Sequence, residues 1–162
     1  MINIRDVVES DFTSIVKLND AEVQQTSAMD LQRLGLLLGL SSYCKVATWD
    51  DQVVAFLLAL RDGAAYENDN YAWFASRFAR FLYVDRIVVD AQFSGRKIAS
   101  KLYDAMFAYA RSQGIATITC EYNLEPPNPA SRAFHHTFGF CEVGTQWLAG
   151  GSKQVSLQAA KI

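Results

Sequence analysis

Residues 81–100, FLYVDRIVVDAQFSGRKIAS, place two kinds of pattern side by side with no linker between them. Phe81 to Val89 is β-branched and aromatic, which reads as a strand. Gln92-Phe93-Ser94-Gly95-Arg96-Lys97 is a turn. Ile98 then opens a helix to Ser112, with Ile98, Leu102, Ala105, Met106 and Tyr109 on one face, and Gly114 stops it. Ala116 to Tyr122, rich in Thr and Ile, is a further strand. A strand–helix–strand unit predicts a parallel pair with a right-handed crossover.

Towards the C-terminus, Asn128 caps a short helix with Pro129 in its first position. Ala130, Ala133, Phe134 and Phe138 are its expected apolar face, and Gly139 ends it. Phe140–Ala149 and Lys153–Ala160 predict a hairpin across Gly150-Gly151. Towards the N-terminus, Ile2–Arg5 is a short strand, and Ser10 is the expected cap of a helix carrying Phe12, Ile15 and Val16. Leu31–Leu38 forms a second helix, lined by Leu31, Leu34, Leu37 and Leu38 and weakened or ended by Gly35 and Gly39. Tyr43–Trp49 and Gln52–Leu60 are strands joined by Asp50-Asp51. The second has apolar residues without alternation, as in a strand covered on both faces. Arg61–Asn70 reads as a polar loop before the aromatic cluster of Tyr71, Trp73, Phe74 and Phe78. The fold class is therefore α/β (α+β), a mixed central sheet flanked by helices, with residues 1–162 as one domain.

At 162 residues, 51% hydrophobic and 20% charged, the chain can bury a sizeable core and is too apolar for disorder. A net charge of −2 and scattered basic residues argue against nucleic acid as a partner. No stretch approaches the roughly 20 apolar residues of a membrane span. The start, Met1-Ile2-Asn3-Ile4-Arg5-Asp6, lacks a signal-peptide pattern, so the expected location is cytoplasmic. Cys44, Cys120 and Cys141, an odd number at wide spacing, read as small buried strand residues rather than a disulfide framework or a metal site.

Ligands in open α/β sheets bind beyond the carboxyl ends of the strands, where helix N-termini point. The turn before Ile98 is such a place. First-turn amides lack intrahelical acceptors, and the helix end carries roughly half a positive charge. A pyrophosphate suits it. Gly95 allows close approach, Ser94 and Ser100 offer hydroxyls, and Arg96, Lys97 and Lys101 add positive charge. The glycine patterns G-x-G-x-x-G and G-x-x-x-x-G-K-[ST] are both missing.

The string Val88–Ala99, followed by Asn128-Pro129-Ala130-Ser131-Arg132-Ala133-Phe134-His135 and by Phe138-Gly139-Phe140, resembles the GNAT superfamily of N-acetyltransferases. Gln92-x-x-Gly95 looks like the start of that family's Q/R-x-x-G-x-G/A motif, and Ile98-Ala99 like the apolar-then-small pair after it. Asn128 and Ser131 fall on the family's N-x-x-A/S. Lys97 replaces the usual second Gly or Ala, and His135 stands where many members have a tyrosine that protonates the departing thiolate. The resemblance implies the GNAT fold, acetyl-CoA as co-substrate and no metal. It also implies that Phe81–Val89 splays from Ala116–Tyr122 to admit the pantetheine arm. Backbone groups of Ile87, Val88 and Val89 would then polarise the thioester. Ser94, Gly95, Arg96, Lys97, Ile98, Ala99 and Ser100 would hold the diphosphate, with Asn128 and Ser131 near the pantetheine unless Asn128 only caps its helix.

An amine acceptor must lose a proton, and for a lysine-like amine at pH 7 the deficit is roughly 4–5 kcal/mol. Asp85 and Glu121 are the carboxylates on the expected cleft strands, each either a catalytic base or part of a structural ion pair. Asp85 adjoins Arg86, but neighbours on a strand face opposite ways and need not pair. His135 could donate a proton to the thiolate, or be a half-exposed polar residue. His136 is expected at the surface. Cys120 lacks a partnering histidine nearby, which argues against a covalent intermediate. The aromatic cluster lines an acceptor pocket, covers the sheet or forms a homodimer contact. The expected reaction is direct acetyl transfer to a primary amine. A small molecule or amino acid is preferred over a protein amine because no acidic run offers a basic-peptide docking surface. The rival is an acyl-CoA-binding sensor without catalysis.

Overall fold

The computed structural model describes every residue from Met1 to Ile162. Seven strands and five α-helices follow one another as β1 (Ile2–Asp6), α1 (Phe12–Ala21), α2 (Leu31–Leu40), β2 (Tyr43–Trp49), β3 (Gln52–Arg61), α3 (Asp69–Ala75), β4 (Leu82–Val89), α4 (Ile98–Ser112), β5 (Thr117–Glu125), α5 (Pro129–Thr137), β6 (Cys141–Leu148) and β7 (Lys153–Lys161). The strands are ordered β1-β2-β3-β4-β5-β7-β6 in one mixed sheet. The chain divides into two compact units, Met1–Leu60 with Val84–Tyr109, and Arg61–Tyr83 with Ala110–Ile162.

In the first unit, β1 pairs antiparallel with β2 from Ile2 opposite Trp49 to Asp6 opposite Lys45. β2 and β3 form the expected hairpin. Asp50 and Asp51 both take positive φ, 49° and 67°, the backbone that a two-residue primed turn requires. Val54 to Leu60 are all buried, so the continuous apolar run is covered on both faces as expected. On α4, Ile98, Leu102 and Met106 are buried, each contributing about 1.5–3 kcal/mol. Ser10 does not cap α1; it sits inside a single 3-10 turn, Glu9–Asp11. Asp11 ties this entry together instead. Its Oδ2 accepts from the Val8 amide at 2.8 Å, and its carboxylate takes two hydrogen bonds from Arg5 at 2.8 and 2.9 Å. The bonds from Arg5 hold this carboxyl below its ordinary range. A charged, forked pair outcompetes a serine hydroxyl. α2 runs two residues beyond the expected Leu38, with Gly39 inside it, and is capped by Asp30 accepting from the Arg33 amide at 2.8 Å.

In the second unit, β5 is antiparallel to β7 and β7 to β6, so the predicted C-terminal hairpin enters the sheet by its second strand. Leu82 and Tyr83, the first residues of β4, pair parallel with Ile118 and Thr119 of β5. The expected Arg61–Asn70 loop is shorter than its polarity suggests. β3 reaches Arg61, and Asn68 caps α3 by accepting from the Tyr71 amide at 3.0 Å. Tyr71, Trp73 and Phe74 of the aromatic cluster thus sit on a helix, Tyr71 and Phe74 buried, with Phe78 beyond its end. Trp73 lies so close to Gly144 that a Cβ there would collide with its ring. Packing rules that position.

Two burial expectations fail here. On α5, Ala130 and Ala133 are exposed, Phe134 and Phe138 half-buried, and His135 is the buried side chain. The inward direction is set by aromatic partners: His135 packs edge-on to Phe140 at 5.2 Å and lies 5.8 Å from Tyr122, ring centre to ring centre. Cys44 and Cys120 are buried as expected, but Cys141 is exposed, because β6 occupies the edge of the sheet.

Candidate active site

After β4 the backbone turns through Asp90, whose Oδ1 accepts from the Gln92 amide at 2.9 Å. The Asp90 amide itself donates to the Val54 carbonyl at 2.8 Å, fixing the end of β4 against β3. A 3-10 turn, Ala91–Phe93, leads to Gly95 at φ 78° and Lys97 at φ 60°. The two left-handed residues aim the chain into α4, whose ladder begins with Lys101 N donating to Lys97 O at 3.1 Å. The amides of Ile98, Ala99 and Ser100 therefore precede any intrahelical acceptor. Ser94, Gly95, Arg96 and Lys97 are exposed, and a Cβ built on Gly95 meets nothing within 4 Å. The turn ahead of the helix is open to solvent, while Ile98 is buried and Ala99 and Ser100 are half-buried. That cradle has the donors, the space and the positive charge a diphosphate needs.

Arg96 departs from the simplest expectation. Its guanidinium lies 4.6 Å from the Trp49 ring centre and 5.1 Å from that of Phe93. Stacking on two aromatics holds the cation at the turn. Trp49 carried no sequence signal beyond its place at a strand end. Upstream, Val88 is buried while Ile87 and Val89 are half-buried, the alternation expected along β4.

Asp85 and Arg86 do pair, with Arg86 Nε 2.7 Å from Asp85 Oδ2 and both side chains under 5% exposed. Alternation fixes where the Cβ atoms point, and the arginine is long enough to return to its neighbour. Arg86 Nη1 also donates to Asn19 Oδ1 and Ser27 O, both at 3.0 Å, and Nη2 donates to Ser27 Oγ at 3.1 Å. This cation clips the segment between α1 and α2 onto β4. The one hint of this clip in the sequence is Asn19, a polar residue at the helical spacing of Phe12, Ile15 and Val16.

In the second unit, Tyr83 OH donates to Glu121 Oε1 at 2.6 Å. Tyr83 is 1% exposed and its ring rests on Tyr71 and Phe74, so this donor is immobile. Glu121 is half-buried and sits on β5 with its carboxylate oriented by that bond. His135 Nδ1 lies 2.7 Å from the Ser131 carbonyl and 3.2 Å from Ser131 Oγ. A carbonyl can only accept, so Nδ1 carries the proton. Burial lowers the ring's pKa from its ordinary value, which keeps it neutral and leaves Nε2 as the basic nitrogen. Asn128 Oδ1 accepts from the Ser131 amide at 3.2 Å, so it does cap α5. His136 is exposed as expected. Cys120 is buried, and desolvation pushes its thiol well above the ordinary range, which disfavours a nucleophilic thiolate.

A family model described as "Acetyltransferase (GNAT) family" matches residues 4–140. The chain belongs to this family. It is an acetyltransferase, and the family's donor is acetyl-CoA. Solved structures share the fold at low identity. Ard1 from Thermoplasma volcanium superposes with a TM-score of 0.81 at 16% identity, covering 99% of this chain and 97% of that one. The ribosomal-protein-S18-alanine N-acetyltransferase from Escherichia coli gives 0.76 at 14% identity, over 100% and 94%. Arabidopsis thaliana Naa50, in complex with the bisubstrate analogue CoA-Ac-MVNAL, gives 0.74 at 15%, over 100% and 99%. No curated protein matches the sequence significantly. No helix is long and apolar enough to cross a membrane.

Proposed function

We propose that this GNAT enzyme transfers acetyl directly from acetyl-CoA to the primary amine of a small molecule, with no acyl-enzyme. The carrying observation is the open turn before α4, where Gly95 leaves room and the amides of Ile98, Ala99 and Ser100 face no intrahelical partner. These groups, with Ser94 and Lys97, hold the diphosphate, and Arg96 adds charge from its aromatic seat. Acetyl-CoA supplies an activated thioester. Strand amides alternate in direction, so those of Ile87, Val88 and Val89 not turned towards β3 are donors for the oxyanion that develops on the acetyl carbonyl. Asn128 and Ser131 border the pantetheine.

Glu121 removes the ammonium proton, offsetting part of the roughly 4–5 kcal/mol deficit of a lysine-like amine at pH 7. Nitrogen attacks the carbonyl carbon as the carbon–sulfur bond breaks. His135 takes one of the two protons left on nitrogen onto Nε2 and returns it to the thiolate, acting as acid in that last step, while the other stays on the amide. Asp85 is a positioning residue here, because its carboxylate is committed to Arg86. A small acceptor is preferred since no acidic run presents a docking surface for a basic peptide.

Calorimetric titration of CoA tests the cradle. Gly95→Glu puts charge and bulk against the diphosphate and should weaken binding at least tenfold. An unchanged dissociation constant removes the site. Glu121→Gln should leave CoA affinity intact and lower kcat by about 10²–10⁴ on whichever amine of a panel of small amines and peptides is acetylated.

A further inference from the structure

The second unit holds a cleft of about 720 Å³ between α5, β5, β6 and β7. It lies on the face of β5 away from Glu121, and it reaches His135 only through the rings of Tyr122 and Phe140. Tyr122 lines the cleft while its neighbour Glu121 bonds Tyr83, and successive strand residues point to opposite sides. On α5 the lining residues Pro129, Arg132, Ala133 and His136 recur at helical spacing, a different stripe from Asn128, Ser131 and His135.

The floor is polar where a cover for β5 and β7 would ordinarily be apolar. Gln158, 3% exposed, donates from Nε2 to Ser156 Oγ at 2.6 Å and to Tyr122 OH at 3.2 Å. Ser156, fully buried, passes the chain on to Glu142 Oε2 at 2.6 Å. One wall therefore carries an oriented carboxylate. The α5 side of the cleft carries Arg132, with His136 one helical turn away, both exposed. Arg132 and Glu142 line one cleft yet form no ion pair with each other or with any other residue. Leu124, Ala133 and Phe140 add apolar surface to the same lining.

We propose that this cleft is a binding site for a free α-amino acid with an apolar side chain. The ligand's carboxylate meets Arg132 and His136, its ammonium meets Glu142 and the Tyr122 hydroxyl, and its side chain covers Leu124 and Phe140. The lining carries a cation and an anion that are not ion-paired, and a zwitterion satisfies both at once. The occupant is an effector and not the acetyl acceptor. Its contacts Tyr122 and Phe140 are the rings that hold His135. Occupancy therefore stiffens the residue assigned to return the proton to sulfur.

Calorimetry on the intact chain, with L-leucine and L-phenylalanine as probes, tests this without reference to the cofactor. Both should bind, whereas 2-phenylethylamine and 3-phenylpropanoate, each lacking one charge, should bind at least tenfold more weakly. Arg132→Ala and Glu142→Gln alter exposed side chains and should each weaken L-phenylalanine about tenfold while leaving CoA affinity as it was. Three results overturn the site: no binding of either amino acid, equal binding of the single-charge analogues, or unchanged binding in the Arg132→Ala, Glu142→Gln double variant. Acetylation of the bound amino acid itself, lost in Arg132→Ala, overturns the effector role. Loss of CoA binding in Gly95→Glu bears on the cofactor cradle alone, so the two readings fail separately.

Discussion

Lys97 is held at φ 60°, a conformation that costs a residue with a Cβ roughly 1–2 kcal/mol. The family's usual small residue at this place avoids most of that strain, and Lys97 trades it for a cation at the mouth of the cradle. Lys97→Gly should raise stability to urea by about 0.5–1 kcal/mol and weaken CoA binding. A loss of stability would mean that the lysine side chain holds the turn. His135 carries its own signature. Its pKa is lowered by burial, so the ring is neutral above the ordinary value near 6.5 and charges only at lower pH. The proton return described above needs a bare Nε2. kcat should therefore stay level from pH 8 to about 6.5 with respect to this group and fall below that as the ring charges. His135→Phe should lower kcat more than CoA affinity and abolish the acidic limb. A limb that persists in the variant assigns it to another group.

At the scale of elements, β4 does two jobs with neighbouring residues. Its end, Ile87–Val89, leads into the cradle, and just before it the Asp85–Arg86 pair anchors Asn19 of α1 and Ser27 of the following segment. Burying two charges is costly, and only the full set of hydrogen bonds offsets it. Removing one partner is the damaging change. Arg86→Ala removes the buried counter-ion of Asp85 and should cost about 3–5 kcal/mol, read from the urea midpoint. Replacing both with apolar residues should cost much less. Equal losses from the single and double variants would show that Arg86 acts through packing of its stem instead. Helix boundaries in this part of the chain were harder to read than strands. Ser10 looked like a cap, yet the Arg5–Asp11 pair sets the entry to α1. That pair joins residues from two elements, which a local pattern does not reveal.

Across the whole molecule, periodicity and turn chemistry carried most of the fold. The continuous apolar run of β3, the two-aspartate turn, the amphipathic stripe of α4 and the glycine stops at Gly114 and Gly139 are local properties, written in spacing and φ. They placed the strands, the crossover and the turn before Ile98, because side-chain periodicity and backbone sterics are set within a few residues. Side-chain destinations were not legible in that way. The stacking of Arg96 on Trp49, the bond from Tyr83 to Glu121, the inward turn of His135 and the exposure of Cys141 each depend on elements distant in sequence. The sequence by itself determined the order of elements and the glycine turn that leads into α4. Only the tertiary structure decided which polar groups are paired, which are neutral and which face a cleft, since those outcomes follow from contacts and dielectric that exist only once the sheet is assembled.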